Sequence, residues 1–108
     1  MRVIKAWRVT IETVFDGSWD GTFTFEPSRD SVVTAINGDI EEGDRELEHC
    51  DREDADDIDY HTERLRQVRD VALNAKKDFA ATQFQQRIKV AGVFIGTIKA
   101  IRTRVFTT

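Results

Sequence analysis

Residues 39–63 read DIEEGDRELEHCDREDADDIDYHTE, and the fold of the 108-residue chain turns on how this stretch is spanned. It holds 13 carboxylates against two cations, Arg45 and Arg52, a net charge of −11. Downstream, Ile58, Leu65, Val68, Ala72, Ala75 and Phe79 recur at steps of seven, three, four, three and four, which is the stripe of an amphipathic helix. That spacing predicts helix over 57–82, and Leu47, Cys50 and Ala55 extend it more weakly through 41–56. Joined without a break, about 40 residues rising 1.5 Å each would make a rod of ~60 Å. A compact domain of ~100 residues has a radius of gyration of only ~13 Å. The rod must therefore protrude, pack on a partner chain, or break near Asp54–Asp57.

The flanks read as β structure. Val3, Trp7, Val9, Ile11 and Phe15 share one parity, interrupted by Lys5 and Thr13, as in a strand with one buried face. Asp16-Gly17 and Asp20-Gly21 bracket Ser18 and Trp19 and are turn formers. Phe23 and Phe25 resume the alternation, so residues 2–26 form a β-hairpin with a loop of four to six residues. Pro27 or Ser28 then starts a short helix, with Val32, Val33 and Ile36 as its stripe and Asn37-Gly38 as its stop. After Arg87, alternation returns on both sides of Gly92 and Gly96, and predicts a second hairpin over 86–91 and 94–106. A competing reading runs the helix through Phe84 and Ile88 to a cap at Gly92. The expected class is α+β, a single domain over 1–108. In ββ-α-α-ββ order, a mostly antiparallel sheet of two hairpins packs against one short and one long acidic helix.

Charge is distributed in blocks. Residues 1–38 carry −1, residues 39–63 carry −11 and residues 64–108 carry +8, so the net −4 conceals two opposed fields. The single Cys50 cannot form an intramolecular disulfide and suits a reducing compartment. The longest apolar run, Ala91–Gly96, is far below the ~20 residues of a membrane span. Charges interrupt the first eight residues too early for a secretory signal. The expectation is a cytoplasmic protein without a membrane segment.

No catalytic or metal signature competes with the charge pattern. His49 and Cys50 are adjacent on a helix and point about 100° apart, and His61 lies more than three turns further on, so no zinc spacing exists. The acids from Asp51 fail the calcium-loop pattern, with Asp56 at the sixth position and Thr62 at the twelfth. Phosphate-cradling and nucleophile-elbow glycine motifs are absent from the sequence. The reading is non-enzymatic, with no cofactor, metal or catalytic residue.

What remains is recognition. Helical carboxylates form a phosphate-like array suited to a basic nucleic-acid-binding groove. Glu41, Glu42, Glu46, Asp51, Asp54, Asp56 and Asp57 are the candidate partner-binding residues, with Trp19 at the hairpin tip either an aromatic anchor or folded back over Trp7 or Phe23. The alternative is a binder of nucleic acid or a phosphorylated small ligand through Arg87, Lys89, Arg102 and Arg104 on the basic C-terminal strands. That reading is the weaker because the −11 segment opposes phosphate unless it points away from those strands. The narrow stripe Leu65, Val68, Ala72 and Phe79 also suits a homodimer of paired long helices.

The turn sequence Phe15-Asp16-Gly17-Ser18-Trp19-Asp20-Gly21-Thr22-Phe23, the helix end Ile36-Asn37-Gly38 and the acidic helix Asp39–Glu63 sit together in one small domain. In that combination the chain resembles, in style and across most of its length, the small proteins that phages and mobile elements carry against host defences, including anti-CRISPR proteins. The resemblance transfers no individual residue. It implies inhibition by direct binding in the host cytoplasm, without turnover, of a basic nucleic-acid-binding protein of CRISPR-Cas type. The basic C-terminal third departs from a uniform nucleic-acid mimic.

Overall fold

A computed structural model describes residues 2–79 and 83–107 of the chain. The alternation that starts at Val3 becomes strand β1 (Arg2–Thr13), followed by β2 (Ser18–Phe23). Two helices come next, α1 (Arg29–His49) and α2 (Arg52–Leu73). Strands β3 (Gln83–Val90) and β4 (Val93–Thr107) complete the described chain. The four strands form one antiparallel sheet in the order β2-β1-β4-β3, which is the α+β architecture in the expected ββ-αα-ββ order.

The sheet is covered on one face. Val9, Ile11, Phe23, Ile88, Ile98 and Ala100 meet Val32, Ile36 and Ile40 of α1 and Val68, Val71 and Ala72 of α2. Gly96 lets α2 approach closely, because a Cβ there would collide with the Glu12 carbonyl and with Val71. Ala75 and Phe79 are buried as the stripe requires, yet they lie beyond the end of α2. Phe79 stacks on Phe84 at 4.5 Å between ring centroids. The opposite sheet face is polar around Arg8, which pairs with Asp20 at 2.6 Å, and apolar toward the chain ends, where Ile4, Ala6, Ile101 and Val105 share it.

Several boundaries move, each for a local reason. Asn37-Gly38 does not stop α1. Ser28 starts that helix with a reciprocal cap, its Oγ accepting from Ser31 N and Ser31 Oγ accepting from Ser28 N. The buried positions Ile36 and Ile40 then carry the helix across Gly38 onto the core. The expected short helix is thus as long as its neighbour. The break falls at Cys50-Asp51, a few residues before the expected Asp54–Asp57. Helix was expected to 82; α2 ends at Leu73, and residues 80–82 lie outside the described ones. The first loop is Val14–Gly17, so Trp19 and Asp20-Gly21 belong to β2 instead of the turn. The competing helix through Phe84 and Ile88 gives way to strand β3, because Ile88 is needed on the sheet core opposite Gly96.

The radius of gyration is 15.3 Å and the extents are 45 × 44 × 19 Å. A chain of this length packed compactly would have a radius near ~13 Å. The excess comes from two projections. Between Glu41 and His61 no residue is buried, so the far half of the α1–α2 hairpin stands clear of the sheet. The pairing of β1 with β2 ends at Trp7–Phe23 and that of β3 with β4 starts at Gln83–Ile101. Beyond those pairs, residues 2–6 and 103–107 continue as a two-stranded ribbon among the described residues.

The β3–β4 turn is Ala91-Gly92, with φ of 52° and 80°. A tight two-residue hairpin turn wants positive φ at both positions, and alanine is a poor occupant of the first. Ala91→Asn should stabilise the fold by about 0.5–1 kcal/mol. Thermal unfolding followed by circular dichroism should show Tm raised by a few degrees.

Candidate functional site

The acidic stretch is built as two antiparallel helices instead of one. Along their seam Ile40, Gly43 and Leu47 of α1 and Ala55, Ile58 and Thr62 of α2 are buried or half-buried, as is Cys50 just past the end of α1. Gly43 fixes the spacing, because any Cβ there would sit inside the Thr62 hydroxyl. Thr62 Oγ1 is held in place by donating to the Ile58 carbonyl at 2.7 Å.

Arg64 ties the hairpin to the β1–β2 loop, and Arg66 and Arg69 tie its two helices to each other. Arg64 donates to the Phe15 carbonyl and to Tyr60 Oη, with its guanidinium 4.6 Å above the Tyr60 ring. Arg69 donates to Asn37 Oδ1 at 3.1 Å across the seam. Arg66 bridges Asp44 at 2.9 Å and Glu63 at 3.2 Å. Partial desolvation is the largest single influence on Arg66 and opposes its charge. The hydrogen bonds and fields of Glu63 and Asp44 together outweigh it and hold the guanidinium above its usual range.

The carboxylates fall on two flanks of the hairpin. Asp39, Glu42 and Glu46 line a shallow groove with Ile58, His61, Thr62 and Leu65. Asp54 and Asp57 share that flank, since they lie seven and four residues before His61 on one helix face. Glu41 and Asp56 lie on the other flank, the side of the Asp44–Arg66–Glu63 bridge, and Asp51 is the N-cap position of α2. The seven candidate acids are thus brought onto one arm but not onto one surface. Asp39 and Asp44 are held by Trp19 and Arg66. The other ten carboxylates between Glu41 and Asp59 are exposed and form no ion pair with a described residue.

Trp19 is not a free anchor. It packs half-buried against the core over Gly21, 6.4 Å from the Phe23 ring. Its Nε1 donates to Asp39 Oδ2 at 2.9 Å and ties β2 to α1. The stripe proposed for dimer pairing is likewise occupied. Val68, Ala72 and Phe79 are buried by the chain's own sheet and Leu65 is half-buried beside them. No helix among the described residues is long and apolar enough to cross a membrane, and no three His, Cys, Asp or Glu side chains among them are placed to hold a metal.

The four basic candidates do not form one site. Arg87 lies on edge strand β3 with its guanidinium 4.7 Å above the Phe94 ring, opposite Thr97. Lys89 follows the register shift next to it. Arg102 and Arg104 lie five and seven residues further along β4 than Thr97, roughly 16–23 Å away at ~3.3 Å per residue. By strand parity they also face the other side of the sheet. What the pairing does bring to Arg102 and Arg104 is Lys5, which lines a depression with them and Thr103. Lys5 escaped the sequence reading, although its break in the apolar parity of the first strand was a signal.

Gly43→Leu should wedge the seam apart at a cost of about 1–3 kcal/mol. Hydrogen exchange should then accelerate for amides between Glu41 and His61 while the sheet amides keep their protection. No family model, curated protein or solved structure matches the chain.

Proposed function

We propose that this chain is a non-enzymatic binding protein, a phage-type inhibitor of a host defence effector of CRISPR-Cas type. In this reading the acidic arm occupies a basic surface that the effector uses for nucleic acid. One observation carries it: ten exposed carboxylates with no ion-pair partner among the described residues stand on a braced helical arm that projects from the body. A charged face kept only for solubility has no need of such a projection.

The arrangement works against the fold, which supports the reading. Glu46 and Glu48 sit in the last turns of α1, where the helix dipole disfavours negative charge, typically by 0.3–1 kcal/mol each at exposed positions, roughly. Glu53 and Asp54 open α2, where the dipole favours them, so the unfavourable share lies with Glu46 and Glu48 and with the like charge gathered along each helix. A basic partner relieves both effects. Seam packing and the Arg64 and Arg69 contacts keep the arm ordered in its absence, so little ordering is lost on binding. Attraction of this kind accelerates association and fades with salt.

The test is a tagged pull-down from a bacterial host lysate at low salt, with and without nuclease, read by mass spectrometry. The expected result is one basic nucleic-acid-binding protein, retained after nuclease and released by salt. The triple variant Glu42→Lys, Glu46→Lys, Asp57→Lys reverses one flank of the arm. It should fold with unchanged or higher Tm and lose the captured protein. Capture that survives this reversal would refute the acidic-arm reading.

A further inference from the structure

The ribbon made by residues 2–6 of β1 and 103–107 of β4 is the second projection, and the acidic-arm reading gives it no role. Its composition is one-sided. Residues 2–8 and 101–107 hold five cations, Arg2, Lys5, Arg8, Arg102 and Arg104, and no acid. Arg8 is paired with Asp20. Directly opposed residues of an antiparallel pair share a face, as do residues two apart on one strand. The pairs Val3–Phe106, Lys5–Arg104 and Trp7–Arg102 therefore stand in a row on one face. Arg102 confirms it, with its guanidinium 5.4 Å above the Trp7 ring. This is the face that the helices cover further along at Val9–Ala100, and it emerges uncovered here.

Two features of that row point to a ligand. Lys5 directly opposite Arg104 is a like-charge cross-strand pair, which opposes strand pairing, and no carboxylate of the ribbon offsets it. An apolar pair lies beside it without cover, Val3 at 52% and Phe106 at 66% exposure. Cations alternating with apolar and aromatic side chains suit a strand of phosphates carrying unstacked bases.

We propose that this ribbon face binds single-stranded nucleic acid, with Lys5, Arg102 and Arg104 on phosphates and Phe106 under a base. The site is separate from the acidic arm, and the proposal stands whether or not that arm binds a basic protein. Arg87 and Lys89 have no part in it.

The test is fluorescence anisotropy of a fluorescein-labelled 20-nucleotide thymidine oligomer titrated with the full chain at 50 mM and 200 mM salt. Three phosphate contacts on a single strand predict affinity about 20-fold weaker at the higher salt. Lys5→Glu replaces the like-charge pair by an opposite one facing Arg104, so its Tm should rise while binding falls at least about tenfold. Loss of binding in that variant is then not loss of fold. Phe106→Ala should weaken binding without changing the salt dependence. Arg87→Ala with Lys89→Ala should stay within about twofold of the parent. The acidic-arm triple reversal should stay within about twofold of the parent, because the arm is a separate, screened surface. Absence of an anisotropy change at 50 mM salt would overturn the proposal. So would equal loss in the Arg87/Lys89 variant, or equal affinity for a 20-base-pair duplex. Salt-labile self-association in sedimentation velocity, abolished by Lys5→Glu and without oligomer binding, would also overturn it, by assigning the ribbon to the acidic arm of a second copy.

Discussion

The pairing of β1 with β4 is the constraint on which the rest of the molecule depends. It joins segments some ninety residues apart, runs the full length of β1 from Arg2–Thr107 to Thr13–Gly96, and supplies the two central strands. Val9 and Ile11 meet Ala100 and Ile98 through this register and form the floor that both helices cover. A slip of one residue would turn that floor toward solvent. The same register sets Gly96 beneath Val71, where only a missing side chain admits α2, and sets Lys5 against Arg104 at the open end.

From that platform the chain projects charge in two places. The α1–α2 hairpin holds the acids away from the sheet, and the ribbon holds cations away from the helices. Intramolecular neutralisation between the two blocks is slight, since among the C-terminal cations Arg66 alone forms an ion pair among the described residues. The other helix arginines serve carbonyl, amide and phenol partners at the hairpin base. Fields at physiological ionic strength decay over ~8 Å, far less than the 45 Å extent of the molecule. Two poles so separated act as independent electrostatic surfaces, so the net charge of −4 describes neither.

Much of the architecture was legible in local pattern. Alternation from Val3 to Ile11 and again beyond Gly92 marks the strands, and the Ile58–Ala72 spacing marks the buried side of α2. The elements misplaced were those where long-range packing overrode a local signal. Gly38 carries a helix-stop signature, but Ile40 has a place in the core and α1 continues to reach it. Asp20-Gly21 is a turn dipeptide, but Gly21 lies opposite Val9, with the Trp19 ring occupying the space its side chain would fill. Ala75 and Phe79 keep helical spacing but leave the helix, because Phe79 is claimed by Phe84.

The sequence by itself determined that this is an α+β domain, that its charge is segregated along the chain, and that helix begins by about residue 57, while marking the acidic 41–56 stretch only weakly. Those properties follow from periodicity and composition, which are local and additive. Only the tertiary structure decided that the acidic helix folds back on itself at Cys50-Asp51, because Gly43 and Thr62 can meet only when two helices are laid side by side. Only it decided that Trp19 is bound to Asp39 and that the Val68–Phe79 stripe is consumed within the chain. It also placed Lys5 beside Arg102 and Arg104, and parted Arg87 from both. Neighbours across a sheet are fixed by register, and no property of either strand alone specifies which residue will lie opposite.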